Sequence, residues 1–201
     1  MSVYNSINAL PFMGTSSAKD VQETSARKHR GVNHRSAKYQ GQQHRPVTQR
    51  DVHKVQDQNR LISWLEKLPS EEGETLYRAK VRILPAHAYF FEHDRHHIPG
   101  LYIIEAGRQI GLAIPHLFFD VGYDQAFVLD GCEMHFQGFA NLSDELFIEA
   151  RVFDAIFRKD KLQSLSFDGT FYQKGAALVR YQSHIRLFPE RLLKRYEKQL
   201  A

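Results

Sequence analysis

The fold is decided by residues 91–119, which read FEHDRHHIPGLYIIEAGRQIGLAIPHLFF. After a polar start rich in histidine, residues 100–119 are apolar on nearly every side, which predicts a buried helix rather than a surface helix. Pro99 and Gly100 mark the beginning of this helix. Pro115 is expected to kink the helix or to end it, because proline has no backbone N–H and its ring crowds the preceding turn.

Strands are predicted on both sides of this helix. Residues 75–84 alternate apolar and basic side chains, which is the pattern of a half-buried strand. Residues 127–139, 146–153, 162–172 and 177–187 are rich in β-branched and aromatic residues, and 189–200 predicts a charged helix. This order favours an α+β domain in which a predominantly antiparallel sheet wraps around one long central helix. Such a sheet leaves an open edge, so we expect a homodimer.

Composition and charge divide the chain into two parts. Of 201 residues, 42% are hydrophobic, which is enough to build a core and excludes a wholly disordered protein. Residues 1–50 contain eight Lys or Arg and two Asp or Glu, whereas the rest of the chain is slightly acidic. The positive net charge therefore does not indicate a nucleic-acid-binding domain. We predict a basic, low-complexity and mostly disordered tail over residues 1–45 and a single domain over residues 46–201.

Several protein classes are excluded by what the sequence lacks. No apolar run is long enough for a membrane span, and the N-terminus has no secretory signal pattern. Cys132 is the single cysteine, so an internal disulfide and a multi-cysteine zinc site are excluded. We expect Cys132 to be a small buried residue. The cytoplasm is the predicted compartment.

Polar groups converge on the start of the predicted helix. The first N–H groups from Gly100 onward lie at the positive end of the helix dipole, where they can hold a carbonyl oxygen that gains negative charge. His93 and His97 precede them and can act as acid or base. A metal site built from the loop histidines with Asp94 and Glu105 is not favoured, because no spacing typical of zinc or iron ligands is present. We expect no metal and no cofactor.

A polar stripe runs along the otherwise apolar helix. Glu105, Arg108, Gln109 and His116 share one face by helical spacing. One interpretation is structural: Glu105 pairs with Arg108, and together with Gln109 they anchor the helix to a neighbouring segment. The other is functional: the stripe faces a buried acyl site. The sequence leaves both open.

A resemblance to a known family rests on these residues. A Pro-Gly-x-x-x-x-Glu-Ala-x-x-Gln helix start after a histidine-containing loop is typical of hotdog-fold enzymes. Closer still, the chain resembles the A-factor biosynthesis hotdog family, the synthases of γ-butyrolactone autoinducers. The Val52-His53-Lys54 triplet and the Pro85-x-His87-x-Tyr89-Phe90 segment are similar to two further marks of that family. The matching motif residues are His93, His97, Pro99, Gly100, Glu105, Ala106, Arg108 and Gln109.

The resemblance implies a hotdog fold and acyltransferase activity. The implied reaction moves a β-ketoacyl group from a thioester of an acyl carrier protein or CoA to a hydroxyl acceptor such as dihydroxyacetone phosphate, in quorum-sensing signal or secondary-metabolite biosynthesis. His93 or His97 is then the general base, and the Gly100 N–H polarises the thioester carbonyl. Glu105 shares the base role or orients a histidine. Substrate contacts are expected from Arg108, Gln109, Ile104, Met134 and Phe136.

Two alternatives stay open at this point. Hydrolysis of an acyl thioester and dehydration of a 3-hydroxyacyl thioester need the same base, carboxylate and helix-terminal oxyanion site. A non-catalytic acyl-binding or interaction protein, with a partner recruited by the basic tail, is the second alternative. No sequence feature considered above separates these from acyl transfer.

Overall fold

The computed structural model describes residues 44–69 and 75–200. The predicted disordered tail, except for its last two residues, lies outside these ranges. Seven strands and two helices are present in the described part. They are β1 Arg45–Pro46, β2 Ile62–Leu68, β3 Thr75–Val81, α1 Gly100–Phe118, β4 Gln125–Phe136, β5 Leu146–Arg158, β6 Lys161–Gln173, β7 Ala176–Pro189 and α2 Glu190–Leu200.

The strands form one antiparallel sheet in the order β1-β2-β3-β5-β6-β7-β4. The long hairpins of β5, β6 and β7 make its centre, and β4 returns after α1 to pair with β7. Successive side chains of β6 and β7 point to opposite faces of the sheet, and one face packs against α1. The residues buried on that face include Phe167, Phe171, Tyr181 and Ile185. The predicted arrangement of one long helix against an antiparallel sheet is confirmed.

Helix α1 packs closely on the sheet through two glycines. A Cβ atom added at Gly111 would lie 2.8 Å from Cδ1 of Ile185, and one at Gly107 would lie 3.2 Å from the Tyr181 ring. The absence of side chains at these two positions therefore lets helix and sheet approach one another. The helix continues three residues beyond Pro115, so this proline does not end it. Its end at Phe118 differs by one residue from the predicted boundary.

The segment that precedes β2 covers the polar stripe of α1. It consists of two 3₁₀ turns, Arg50–Val52 and Asp57–Asn59. Val52 and Leu61 are fully buried, and Asp51 is buried and accepts hydrogen bonds from Thr48 and Tyr123. This segment thus provides polar partners for the ionic side chains on the polar stripe of α1, which lie next to the core.

Strand β4 forms an edge of the sheet, and one of its faces is apolar. Four residues of β4 pair with β7 residues whose side chains are buried on the helix side, so their side chains point to that side as well. They are Leu129, Cys132, Met134 and Phe136. Leu129 is nevertheless 45% exposed and Phe136 50% exposed. Cys132 is exposed as well, so the prediction of a buried cysteine is wrong. The reason is its place on an edge strand, beyond the cover that α1 provides.

The described ranges contain no helix that combines the length and apolar character required to cross a bilayer.

Candidate active site

A cavity of about 480 Å³ opens beside the first two turns of α1. One wall comes from the helix through Leu101, Ile104 and Glu105. The opposite walls come from the loop before the helix and from the segment before β2. Their lining residues are Lys54, Asn59, His87, Tyr89 and Phe90. Apolar and ionic side chains therefore face one small space, as in sites that bind a largely apolar ligand with a reactive polar group.

Glu105 is the centre of the polar wall. Arg108 Nε and Nη2 donate to its two carboxylate oxygens at 2.8 and 2.9 Å. Gln109 Nε2 and Lys54 Nζ both lie 2.9 Å from Oε1. The carboxylate is held by three side chains, which fixes its position before any ligand arrives.

The same contacts determine the charge of Glu105. Burial alone would raise the pKa of this carboxyl group, but the hydrogen bonds and charge of Arg108, with the bonds from Gln109 and Lys54, outweigh burial. The net result is a pKa lowered to about 2. Glu105 is therefore ionised at neutral pH and is a weak base, which suits a carboxylate that orients other groups better than one that removes a proton.

His87 joins this network through Asn59. Its Nε2 lies 2.9 Å from Asn59 Oδ1, and the Asn59 carbonyl oxygen accepts a 2.7 Å hydrogen bond from Gln109 Nε2. The other ring nitrogen, Nδ1, is buried and has no hydrogen-bond partner among the residues described. Because Asn59 Oδ1 accepts from Nε2–H, the neutral tautomer leaves a lone pair on Nδ1. His87 and Glu105 thus line the same cavity from different walls and belong to one hydrogen-bonded chain.

The predicted loop histidines lie outside this network. His93 is exposed, and His97 makes a backbone bridge to Asn141 while its ring centroid lies 4.8 Å from that of Phe139. Within the described ranges neither imidazole has a hydrogen-bonding partner, and neither residue lines the cavity. Gly100 is the first residue of α1, as predicted, and Pro99 provides no side-chain cap. The proposed roles of His93, His97 and Gly100 stay predictions.

The predicted acyl-contacting residues fall into one apolar area. Ile104 lines the cavity and is 38% exposed. A Cβ atom built on Gly100 would lie 3.4 Å from the Phe136 ring, which places Phe136 beside the start of the helix. Met134 is two residues away on the same face of β4 and packs against the core. The cavity wall and the apolar row of β4 therefore meet at the beginning of α1.

Arg108 and Gln109 have contacts within the protein. Arg108 pairs with Glu105, as the structural interpretation of the stripe predicts. Gln109 has 0% exposure, and its Oε1 accepts the Leu61 N–H at 2.7 Å while Nε2 donates to Asn59 and Glu105. The amide thereby anchors α1 to the segment before β2. Direct contact of either residue with a substrate stays a prediction.

Potential metal ligands are dispersed in the described part of the chain. No group of three or more His, Cys, Asp or Glu side chains there is placed to hold a metal ion. The polar groups of the cavity are those of Lys54, Glu105, Asn59 and His87. The Glu105 carboxylate already interacts with three side chains, those of Arg108, Gln109 and Lys54.

Residues 36–189 match the A-factor biosynthesis hotdog domain. The chain belongs to this family. The match covers more than half of the sequence and includes every element that lines the cavity. The predicted family and hotdog fold are thereby confirmed. A comparison with curated proteins finds no match.

Three solved structures illustrate what this A-factor biosynthesis hotdog domain is similar to. A hot-dog-like protein from Thermanaerovibrio acidaminovorans is 14% identical, with a TM-score of 0.50 over 64% of this chain and 92% of that one. A hypothetical thioesterase from Streptococcus pneumoniae, solved with coenzyme A, is 15% identical, with a TM-score of 0.41 over 62% and 86%. A Streptococcus mutans protein bound to acetyl-CoA is 15% identical, with a TM-score of 0.40 over 62% and 89%. At 14% identity, the likeness to the Thermanaerovibrio acidaminovorans protein concerns the fold alone.

Three polar residues of the cavity of this hotdog domain, Lys54, Asn59 and His87, are not among the site residues predicted from the sequence. Lys54 and His87 occur in the two segments that resemble family marks upstream of the main motif. The similarity of these two segments to the family was the sequence signal for Lys54 and His87. The sequence did not indicate that either segment lies beside Glu105.

Proposed function

We propose that this A-factor biosynthesis hotdog domain transfers an acyl group, of the β-ketoacyl class, from a carrier-protein or CoA thioester to a hydroxyl acceptor such as dihydroxyacetone phosphate. The product would serve γ-butyrolactone-like signalling or secondary metabolism. The observation that carries the proposal is the cavity at the start of α1, where an ionised and fixed Glu105 lies beside the apolar Leu101 and Ile104. Family membership supports the acyl-thioester class of substrate.

The roles of the polar groups follow from their protonation and position. Glu105 remains a carboxylate, so we assign it the role of orienting Lys54 and the bound substrate. The Gly100 N–H at the free end of α1 polarises the thioester carbonyl. The sequence-based proposal assigns the base to His93 or His97. Neither imidazole has an orienting hydrogen bond among the described residues, so variants of both are part of the test.

The acyl chain is proposed to follow the apolar area from Ile104 to Phe136 and Met134. This area continues to the exposed Leu129 on the edge strand β4. Pairing of β4 with a second copy of the protein would cover this apolar area and enclose the acyl chain between two subunits. A homodimer is therefore part of the proposal.

The decisive assay compares thioester loss with and without the acceptor. We expect release of free thiol from a β-ketoacyl thioester to require dihydroxyacetone phosphate and to produce an ester detectable by mass spectrometry. Replacement of the catalytic histidine by alanine, at 93 or 97, should lower kcat about 10²–10⁴-fold. Thiol release that ignores the acceptor would indicate a hydrolase, and conversion of a 3-hydroxyacyl thioester to an enoyl product would indicate a dehydratase. Either result contradicts acyl transfer.

The dimer is tested at Leu129. The Leu129→Asp change places a charge on the apolar row of β4, so we expect a dimeric wild-type protein and a monomeric variant in analytical ultracentrifugation. Ile156→Asp is the matched control, because Ile156 is a similarly exposed apolar residue on β5, which does not pair with β4. A monomeric wild-type protein, or an equal effect of both changes, would remove the dimer from the proposal.

A further inference from the structure

Lys54 is the only lysine or arginine among the described residues that line the cavity beside α1. Its ammonium group lies 2.9 Å from Glu105 Oε1, and 26% of its side chain is exposed. An ammonium group has three N–H donors, and one of them serves Glu105. Among residues 44–69 and 75–200, no other acceptor lies within hydrogen-bonding distance of Lys54 Nζ. The other donors of this group are therefore available to a ligand in the cavity.

The local fold holds the backbone of Lys54 in place. The preceding 3₁₀ turn, Arg50–Val52, is anchored by Val52, which is fully buried. His53 then adopts the left-handed conformation, with a φ of 53°, and the chain reverses there. The Lys54 N–H donates to the Gln49 carbonyl oxygen at 2.8 Å. The backbone from which the ammonium group reaches the cavity is therefore fixed before a ligand binds.

The charges around Glu105 do not cancel. Arg108 donates to both carboxylate oxygens, at 2.8 and 2.9 Å, and Lys54 adds a second cation. Glu105 is ionised at neutral pH, so one carboxylate and two cations leave a net charge of +1. Among the described residues that line the cavity, Glu105 has the only carboxylate. The cavity therefore favours a ligand that brings an electron-rich oxygen to Lys54.

The Lys54 ammonium group lies near the start of α1. Gly100 and Glu105 are five residues apart in the helix, which is about 7.5 Å along its axis. Helical side chains lean toward the N-terminus, so the Glu105 carboxylate that contacts Lys54 lies on the Gly100 side of the Glu105 Cα atom. The β-oxo carbon of an acyl chain is two carbon–carbon bonds beyond the thioester carbonyl carbon. One β-ketoacyl chain can thus place its thioester oxygen at the Gly100 N–H and its β-oxo oxygen at Lys54.

We propose that Lys54 determines specificity for the β-oxo group: its ammonium group donates to the β-oxo oxygen of the bound acyl chain, while Glu105 fixes the ammonium group. The assignment rests on the acyl-thioester function proposed above and names the residue that distinguishes a β-ketoacyl chain from an unsubstituted one. Asn59 and His87, the neighbouring polar groups, already bond to each other at 2.9 Å. An unsubstituted chain would instead place methylene groups against the ammonium group and remove its contact with water.

The test measures binding without reaction, by calorimetric titration of the full chain. The ligands are 3-oxooctanoyl and octanoyl pantetheine analogues in which an amide nitrogen replaces the thioester sulfur. We expect the wild-type protein to bind the 3-oxo analogue about tenfold more tightly than the octanoyl analogue, because hydrogen bonds to charged donors are stronger than neutral ones. Lys54→Met keeps most of the apolar stem but has no donor, so it should bind both analogues with nearly equal affinity.

Lys80→Met is the matched control, because Lys80 also has a carboxylate partner, Glu145, but lies on β3 and does not line the cavity. This variant should keep the wild-type preference. Lys54→Gln, which retains a neutral donor, should lose most of the preference as well, and it takes the place of Lys54→Met if the methionine variant does not fold. An equal loss of affinity for both analogues would mean that Lys54 only supports Glu105. That outcome, or an unchanged preference, overturns the assignment.

The titration separates the role of Lys54 from the proposed reaction, because the amide analogues cannot transfer their acyl group. A wild-type preference that is lost in Lys54→Met would support the assignment even if the protein hydrolyses thioesters instead of transferring the acyl group. Equal wild-type affinity for both analogues would overturn the role of Lys54 and leave acyl transfer standing. Failure of the wild-type protein to bind either analogue would remove the acyl site, and the assignment with it.

Discussion

Replacement of Gln109 by leucine is expected to lower the free energy of unfolding by about 3 kcal/mol. The Gln109 amide accepts the Leu61 N–H and donates to the Asn59 carbonyl and to Glu105, all in a fully buried position. Leucine has a similar size but none of these groups. The Leu61 N–H and the Asn59 carbonyl would lose their side-chain partner in the interior, and each loss costs about 1–3 kcal/mol.

Urea denaturation of wild type, Gln109→Leu and Gln163→Leu measures this effect. Gln163 is exposed on β6 and, among residues 44–69 and 75–200, bonds only to backbone oxygens nearby, so its replacement should change the unfolding free energy by less than about 0.5 kcal/mol. Equal midpoints for the two variants would mean that the amide network does not anchor the helix.

Replacement of Glu105 by glutamine is expected to remove about 3 kcal/mol of stability at pH 7. The folded pKa of Glu105 is about 2, below the ordinary value of 4.5, because Arg108, Gln109 and Lys54 together outweigh the effect of burial. A lowered carboxyl pKa contributes stability that is fully present above pH 4.5 and is lost as the pH falls toward about 2. Only 18% of this side chain is exposed, so solvent screens the interaction weakly.

The measurement is the free energy of unfolding at pH 7, 5.5 and 3 for wild type and Glu105→Gln. The difference between them should be constant from pH 7 to about 5 and should shrink at pH 3. Glu133→Gln, on the exposed edge strand, is the control and should show a small difference at every pH. A difference that does not change with pH would contradict the assigned ionisation of Glu105.

The central helix and most strands could be predicted because their signals are local. An apolar run opened by Pro99-Gly100 specifies α1 without any knowledge of its neighbours. The strand predicted at 146–153 instead continues to Arg158, because its outer half pairs with β6 beyond the core and exposes Ile156 and Phe157. Pairing of that kind depends on a partner strand and leaves little hydrophobic pattern in the sequence.

The candidate site was predictable only on the helix. Glu105, Arg108 and Gln109 share a face by spacing alone, and their mutual contacts follow from it. Lys54 contacts Glu105 through the fold of the segment before β2, and the loop before α1 brings His87 to Asn59, which Gln109 links to Glu105. The His53–His116 contact likewise joins one 3₁₀ turn to the last turn of the helix. Such long-range contacts are set by packing and cannot be read from one sequence.

The exposed Cys132 has a practical consequence. It is the sole thiol of the chain and lies on the helix-facing side of β4. Partial burial raises the pKa of this thiol, so it should react slowly with alkylating reagents at neutral pH. Its labelling rate at high and low protein concentration then becomes an intrinsic reporter, since a subunit docked along that strand would shield the sulfur from iodoacetamide.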